Sequence, residues 1–415
     1  MKVIQLFYFY DERLHDERAF IRQYYTTTGW SEALLAEGVQ SRIVTRFGRD
    51  GYYEERGIQH HFCADKRGGN FRAWQVPWKL VRQVKQLDAD VVQVHSLTLS
   101  LPTFVLRWML PRKTAIIVQH HGGRSPGRIK RLLHNLLNSV ADAFFFTTHE
   151  QGAEWFMRAA PYHKIMPVME GATFFDYDTR DKAPILQPGG NSGGLKAETF
   201  RKNDGTVFTN RIAMRQLTGL SGAPVFLWVG RLDDNKDPLT ILEGFAQVAA
   251  QHPQARLYMI YHEGVLEEAV RQRIQQHPTL QNSVHLLGRI GHEKMMNYYH
   301  SADYFILGSH HEGSGYALSE ALRCGCVPIV TAIPSFRMMT DGGRLGAFWQ
   351  PGDASSFVTA AGQAMRQPLQ PTGEACMAWW HDQLSFEAIA RVAAAHYRQV
   401  VAARQPFPTR RMALK

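Results

Sequence analysis

Two glutamates eight positions apart, Glu312 and Glu320, bracket a small-residue loop and a helix start within Ser309–Pro328, SHHEGSGYALSEALRCGCVP. Ionised carboxylates only accept hydrogen bonds, so they suit ligands rich in hydroxyls, such as sugars and ribose. Gly313 and Gly315 allow a ligand close to the backbone. The helix that follows, over Tyr316–Arg323, offers first-turn N–H groups and a positive dipole end, which favour a phosphate. Glu312 lies in the loop, near where a group carried by that phosphate would sit. Glu320 lies one to two turns into the helix. Upstream, Phe226–Arg231 (FLWVGR) runs from a strand into the turn LDDNKD, which holds Lys236. Arg231 suits a diphosphate bidentately and Lys236 suits it as a point charge. These residue types together fit a diphosphate carrying a hydroxyl-rich group.

Other polar residues invite competing readings. His310 and His311 adjoin Glu312, but their spacing does not put two imidazoles on one helical face as a zinc HExxH helix does, so no metal site is expected. Asp88-Ala-Asp90 and Asp176-Tyr-Asp178 have the form of a metal-binding Asp-x-Asp pair. The first precedes a buried strand, the wrong end for a ligand in a parallel sheet, and the second opens a linker; both read as turn or capping residues. Gly29, after Thr26-Thr-Thr28, is a phosphate candidate or simply a helix start capped by Thr28 or a neighbour. Arg124–Leu137 (RSPGRIKRLLHNLL) is basic with a leucine stripe. It reads as a core-facing helix with a solvated basic face, against the alternative of a helix resting on an anionic membrane.

These side chains need a frame, and strands alternate with helices along most of the chain. Val3–Tyr10, Arg42–Phe47, Val91–His95, Ala115–Gln119 and Ala143–Thr147 read as strands in the first part. A helical stretch follows Gly29. Pro224–Val229, Ala255–Tyr261, Val284–Leu287, Tyr304–Leu307 and Val327–Thr331 read as strands in the second, with helices over Pro238–Gln251, Glu293–Ser301 and Tyr316–Arg323. Such alternation means βαβ units and parallel sheets. Gly325 stands where a left-handed helix cap belongs. The predicted domains are an N-terminal Rossmann-like half over 1–176, a loop-rich segment over 177–221, and a C-terminal Rossmann-like half over 222–385. A last helix over 386–403 is expected to pack back across the domains, before a basic tail over 404–415.

Bulk properties agree. At 415 residues the chain suits two domains, and 45% hydrophobic with 20% charged residues excludes global disorder. The four cysteines, Cys63, Cys324, Cys326 and Cys376, lack zinc-ligand spacing and fit a reducing, cytoplasmic setting. The opening MKVIQLFYFY reads as a buried strand, not a signal peptide. A net charge of +10 is compatible with nucleic acid, anionic lipid or phosphorylated ligands, and no nucleic-acid-binding motif accompanies it.

The order VGRLDDNKDP, then HLLGRIGHEKM, then the Glu-x₇-Glu segment ending ALRCGCVPIV resembles the retaining glycosyltransferases of family 4. The resemblance is close in the C-terminal half and loose in the N-terminal half. It implies the GT-B architecture, two Rossmann-like doubly wound domains facing across a cleft. It implies that Arg231 and Lys236 bind the donor diphosphate and stabilise the leaving nucleotide. Glu312 would hold donor-sugar hydroxyls, Glu320 the ribose, and the amides around Gly313, Ser314, Gly315 and Tyr316 the sugar and phosphates. Gly288, Arg289 and Ile290 would lie near the base. His121, in Val118–Gly122 (VQHHG), matches the family histidine that touches the transferred sugar, with His120 as runner-up on the acceptor side beside Gly29. Ser314 departs from the aromatic or proline more usual there, which bears on the sugar chosen.

The implied reaction moves a sugar from a nucleotide-diphosphate sugar to an acceptor hydroxyl with retention, and needs no cofactor or metal. The acceptor would be a sugar, a glycan, a lipid-linked or a small molecule. The expected location is the cytoplasm, with peripheral contact at the inner face of a membrane. A sugar-nucleotide epimerase or hydrolase of the same fold is the alternative, followed by a non-catalytic basic binding protein. A nicotinamide oxidoreductase is disfavoured because Met1–Gly38 has no GxGxxG.

Overall fold

The computed structural model describes residues 1–65, 75–123, 125–156, 162–171, 199–201, 207–209, 211–262 and 264–404. The chain divides into two compact units, Met1–Glu170 with the C-terminal helix, and Gly171–Ser385.

The first unit is built on β1 (Lys2–Phe7), β2 (Gln40–Phe47), β3 (Gly51–Glu55), β4 (Ile58–Ala64), β5 (Val91–Val94), β6 (Ala115–Gln119), β7 (Ala143–Phe146) and β8 (Ile165–Pro167). Their order is β3-β4-β2-β1-β5-β6-β7-β8, parallel except for β3, which pairs antiparallel with β4. Its helices are α1 (Glu17–Gln23), α2 (Tyr25–Ala36), α3 (Trp78–Gln86), α4 (Ser100–Met109), α5 (Arg128–Asn138) and α6 (His149–Trp155). Every residue of β5, β6 and β7 is buried, as expected for strands covered on both faces. The β3–β4 hairpin is absent from the sequence reading. In β3 the tyrosines and glutamates alternate half-buried and exposed, and in β4 two histidines and a glutamine interrupt the apolar residues, so neither strand is a continuous apolar run.

The second unit contains a two-stranded antiparallel pair, β9 (Thr199–Arg201) and β10 (Val207–Thr209). Its main sheet comprises β11 (Val225–Arg231), β12 (Arg256–His262), β13 (Val284–Gly288), β14 (Tyr304–Leu307), β15 (Val327–Thr331) and β16 (Ala347–Trp349). The order is β13-β12-β11-β14-β15-β16, all parallel. Its helices are α7 (Arg211–Thr218), α8 (Pro238–Gln251), α9 (Glu267–Gln276), α10 (Pro278–Ser283), α11 (His292–Ser301), α12 (Tyr316–Arg323), α13 (Pro334–Met339), α14 (Ala354–Arg366) and α15 (Leu369–Trp379). Helix α7 falls inside the stretch read as loop-rich. Arg215 anchors it, donating to the Asp303 carboxylate at 2.6 Å and the Ser301 carbonyl at 2.9 Å. Asp176-Tyr-Asp178 and residues 405–415 lie outside the described residues. No helix among the described residues is long and apolar enough to cross a membrane.

Helix α16 (Phe386–Arg404) belongs to the first unit, where it packs against α2 and β6. This contact corrects the reading of Gly29. Helix α2 begins at Tyr25, so Gly29 lies inside it and is neither a phosphate loop nor a helix start. Thr28 is not a cap either; it is buried, with its hydroxyl 3.4 Å from His60 Nε2. A Cβ on Gly29 would stand 2.8 Å from the Phe386 ring, so the glycine makes room for α16.

Helix α5 overturns a second expectation. Its leucine stripe faces solvent, and its polar face is the one held to the unit. Asn138 Nδ2 donates to the Leu97 carbonyl at 3.0 Å, Arg131 to the Glu154 carbonyl at 3.0 Å, and His134 Nδ1 lies 2.9 Å from Ser100 Oγ. These three side chains satisfy groups at the ends of neighbouring elements, which an apolar face could not do.

The Gly29 contact is testable. Gly29→Val should lower stability by about 1–3 kcal/mol through overpacking against Phe386. Denaturant unfolding of the variant measures this; an undiminished midpoint would show that the close approach carries no packing constraint.

Candidate active site

From β11 the chain moves outward to β12 and β13, then returns to β14 on the other side of β11. Loops leaving the carboxyl ends of β11 and β14 therefore run in opposite directions, and such a reversal opens a crevice in a parallel sheet. Two loops meet there, Leu232–Asp237 after β11 and Gly308–Gly315 after β14.

Asn235 stitches the two together. Its carbonyl accepts from the His310 N–H at 2.8 Å, its Nδ2 donates to the His311 carbonyl at 3.0 Å, and its Oδ1 accepts from the His311 N–H at 3.1 Å. Asp237 caps α8 by accepting from the Thr240 N–H at 3.3 Å, and its other oxygen lies 3.2 Å from His310 Nε2. His310 is thus engaged inside the loop pair. Among the described residues no three histidines, cysteines or carboxylates lie together as metal ligands.

Lys236 Nζ pairs directly with Glu312 Oε1, each side chain keeping 15% of its surface exposed. The sequence placed these two residues on one ligand; the structure brings them into mutual contact. Arg231 is 70% exposed at the end of β11, with Nε 3.2 Å from Asp233 Oδ2. It is the exposed cation of the cluster, with a planar fork suited to bidentate contact.

Gly315 ends the loop and opens α12 with φ 71°, and a Cβ there would stand 2.7 Å from the Phe336 ring. Both the backbone angle and the ring exclude larger residues. Ser314 is buried beside it, while Tyr316 is exposed. Gly288, with φ 66°, ends β13 where the pairing with β12 shifts register, and Arg289 and Ile290 follow. Because the sheet is parallel, Arg231, Lys236, Gly288–Ile290 and Glu312–Tyr316 all sit at its carboxyl end. Glu320 lies in the body of α12. It accepts from the Tyr299 hydroxyl at 3.0 Å, with His292 Nε2 at 3.8 Å from its other oxygen. Burial pushes its carboxyl above the usual carboxylate range, against the opposing pull of His292 and Tyr299.

The first unit carries a separate cluster. His121 Nδ1 lies 2.5 Å from Glu170 Oε1, and His121 Nε2 lies 2.8 Å from His95 Nδ1. His95 Nε2 lies 2.7 Å from Gln5 Oε1, and the His95 ring stacks on Phe7 with centroids 4.0 Å apart. Gln5 Nε2 reaches the Tyr397 hydroxyl of α16 at 3.5 Å. That hydroxyl donates to Gln93 Oε1, and Gln93 Nε2 donates to Gln119 Oε1.

The proton positions follow. The Gln5 oxygen only accepts, so His95 Nε2 carries a proton. Burial, then the neighbouring His121, hold the His95 pKa well below its usual value, so His95 is neutral and Nδ1 accepts. His121 must then donate from Nε2 to His95 and from Nδ1 to Glu170, which makes it an imidazolium. Burial pulls the His121 pKa down, but the Glu170 charge and hydrogen bond outweigh it, and the net shift is upward.

His120, the runner-up, is a packing residue. It lies against Phe146 and Trp155, both at 5.0 Å between centroids, and Nδ1 accepts from the Gly122 N–H at 3.3 Å. Burial lowers its pKa to about 4. Asp90 behaves as read, a turn residue accepting from the Lys2 N–H at 2.8 Å.

Sequence reasoning missed Asn235, His95 and Glu170. The buried glutamines Gln5, Gln93 and Gln119 in otherwise apolar strands were the available signal for the chain around His95. Glu170 follows β8 in a stretch with no pattern to mark it.

Comparison with known proteins bears on the family. Residues 210–377 match the family described as glycosyl transferases group 1, and residues 26–158 match Glycosyltransferase Family 4. These two matches support a family 4 glycosyltransferase of the GT-B type. A GDP-mannose:cellobiosyl-diphosphopolyprenol alpha-mannosyltransferase of Xanthomonas campestris is 29% identical over 166 residues, 39% of this chain and 44% of that protein. The chain thus spans less than half the length of that relative. Sucrose-phosphate synthase from Thermosynechococcus elongatus superimposes with a TM-score of 0.66 at 18% identity, covering 97% of this chain and 100% of that one. Anabaena HepE in complex with UDP and glucose gives 0.65 at 14% identity, covering 95% and 99%. Both share the GT-B fold, two parallel-sheet α/β domains, with this chain.

The His121–Glu170 pair predicts a pH dependence. A pKa raised on folding contributes stability in full below the unfolded value of about 6.5 and loses it as pH rises through the folded value. Glu170→Gln should lower the His121 midpoint in a proton NMR titration and flatten this slope of stability against pH. An unchanged midpoint would contradict the imidazolium assignment.

Proposed function

We propose that the protein moves a sugar from a nucleoside diphosphate sugar to an acceptor hydroxyl with retention of anomeric configuration. The observation that carries this reading is the grouping of Arg231, Lys236 and Glu312 at the strand-order reversal, beside the start of α12. Arg231 and Lys236 bind the diphosphate. Lys236 exchanges part of its contact with Glu312 for a phosphate oxygen, and Glu312 then orients donor-sugar hydroxyls. The helix start and the amides of Gly313–Tyr316 add positive potential toward the phosphates. Glu320 holds the ribose, and Gly288–Ile290 border the base. His121, whose two ring N–H groups are engaged by Glu170 and His95, contributes its positive charge and not a free N–H.

The bond between the anomeric carbon and the phosphate oxygen breaks, and a bond to the acceptor oxygen forms on the same face. The acceptor proton passes to the departing phosphate. No carboxylate nucleophile is required, so Glu312 is not the counterpart of a glycosidase carboxylate. The protein lowers the barrier by positioning and by stabilising charge on the leaving group. Arg231 and Lys236 supply the cations that a metal supplies in other transferases, so no cofactor enters this scheme.

A relative named for a diphosphopolyprenol-linked acceptor and a structural neighbour complexed with UDP and glucose support a nucleotide-sugar donor and a sugar or lipid-linked acceptor. Four unpaired buried cysteines fit a cytoplasmic protein. Peripheral contact with an anionic membrane is part of the proposal.

Incubation with a panel of nucleotide sugars, with and without acceptors, tests this. Release of nucleotide dependent on acceptor, with the donor anomer preserved by NMR, is expected. Epimerisation or release indifferent to every acceptor would favour the epimerase or hydrolase, and binding of no nucleotide sugar would sink the proposal. Lys236→Met should cut kcat/KM by about 10²–10³-fold, the usual cost of removing one preorganised donor to a leaving group. Glu312→Gln, which keeps its shape and loses its charge, should reduce transfer with the circular dichroism spectrum unchanged. Transfer at the wild-type rate in either variant would remove that residue from the scheme.

A further inference from the structure

Helix α5 is mounted with its apolar face outward. Ile129, Leu132, Leu133 and Leu136 follow the spacing i, i+3, i+4, i+7 and so form one stripe. They are 87%, 58%, 55% and 67% exposed. A surface helix of a globular domain normally turns such a stripe to the core. Here the opposite face is already committed, through Arg131, His134 and Asn138, to hydrogen bonds with the unit. Rotating the helix to hide the leucines would break all three.

Charge says what covers the stripe. Arg128 and Lys130 are exposed on its two sides, and α5 contains no carboxylate. Helix α4, against which α5 packs, carries Trp108, which is 78% exposed. An apolar stripe flanked by cations, with an exposed indole on the adjoining helix, is the composition of a helix lying in the plane of an anionic lipid interface. A second copy of this chain is a poorer occupant, because a two-fold pairing through the stripe would bring two cationic rims together.

We infer that α5 is the membrane-docking surface of this protein, inserting Ile129, Leu132, Leu133 and Leu136 among acyl chains while Arg128 and Lys130 meet anionic headgroups. The inference rests on the peripheral-membrane reading above and identifies the surface responsible; it is independent of the donor site. It places the first unit at the surface where a lipid-linked acceptor would reside.

Co-sedimentation with vesicles tests it, using phosphatidylcholine alone or mixed with phosphatidylglycerol, at low and high salt. The full chain should pellet with the mixed vesicles at low salt and stay in the supernatant with phosphatidylcholine alone. Replacing Leu132→Ser with Leu133→Ser, or Arg128→Glu with Lys130→Glu, should weaken partitioning by about tenfold or more. Both variants should keep the wild-type circular dichroism spectrum and nucleotide-sugar binding, since the altered side chains make none of the three inward hydrogen bonds. Wild-type protein that stays in the supernatant throughout would overturn both the inference and the peripheral reading, leaving the transfer reaction untouched. Variants that pellet like the wild type would overturn the α5 assignment alone. A wild-type dimer in analytical ultracentrifugation that becomes monomeric in the serine variant would make a second copy the occupant and overturn the lipid assignment.

Discussion

The reversal of strand order between β11 and β14 is the constraint on which the site of the second unit depends. It forces two loops apart at their bases, yet the Asn235 hydrogen bonds and the Lys236–Glu312 pair hold them together beyond. The two arrangements act at different ranges. The Asn235 bonds fix the loop positions; the ion pair balances two charges that are largely removed from water. Neither charge is easily spared, because a mostly buried ion whose partner is deleted costs about 3–5 kcal/mol. Under the proposed function an incoming phosphate changes this balance without breaking it, since Lys236 has three donors and Glu312 one direct claim on them. A ligand carrying both a phosphate and hydroxyls meets both halves of the pair, whereas a phosphate alone satisfies only the cation.

In the first unit the organising interaction is a hydrogen-bond chain with one direction. From His121 through His95, Gln5, Tyr397 and Gln93 to Gln119, each group donates to the next. No member can reverse alone, because turning one amide, hydroxyl or ring would set donor against donor or acceptor against acceptor at its neighbours. It presents an acceptor to His121 Nε2 at one end, while Glu170 favours the protonated ring. Helix α16 takes part through Tyr397, so the last helix does more than cover apolar surface. Phe386 fills the notch above Gly29 at one end of that helix, and Arg404 pairs with Asp142 at 2.7 Å at the other.

How much of this was readable in the residues depends on whether a pattern repeats. Buried parallel strands such as Ala115–Gln119 and Tyr304–Leu307 are continuous apolar runs, and the helix Tyr316–Arg323 is bounded by glycines that need φ 71° and φ 74°; both kinds of element stand where they were expected. The residues of the two loops after β11 and β14 were readable because they cluster at strand ends within a motif. What escaped notice depends on contacts distant in sequence. Gln5 meets Tyr397 across 392 positions, and nothing near either residue records the pairing. Gly29 looked like a helix start because three threonines precede it, but the helix had already begun at Tyr25 and the glycine answers to Phe386.

Helix α5 illustrates the limit of periodicity from the other side. Its stripe was recognised correctly, but periodicity identifies a face and not the medium that the face meets. Burying each leucine or isoleucine would contribute about 1.5–3 kcal/mol, so an outward stripe gives up a large stabilisation. The compensation within the unit is polar: Asn138 and Arg131 satisfy the carbonyls of Leu97 and Glu154, and His134 meets Ser100. A net hydrogen bond contributes only about 0.5–1.5 kcal/mol, so three of them fall short of four buried aliphatic side chains. The inward polar face is therefore not the cheaper arrangement in water alone. It becomes the favoured one when the aliphatic face finds an apolar medium of its own, and the cations at its rim decide which surfaces can supply that medium.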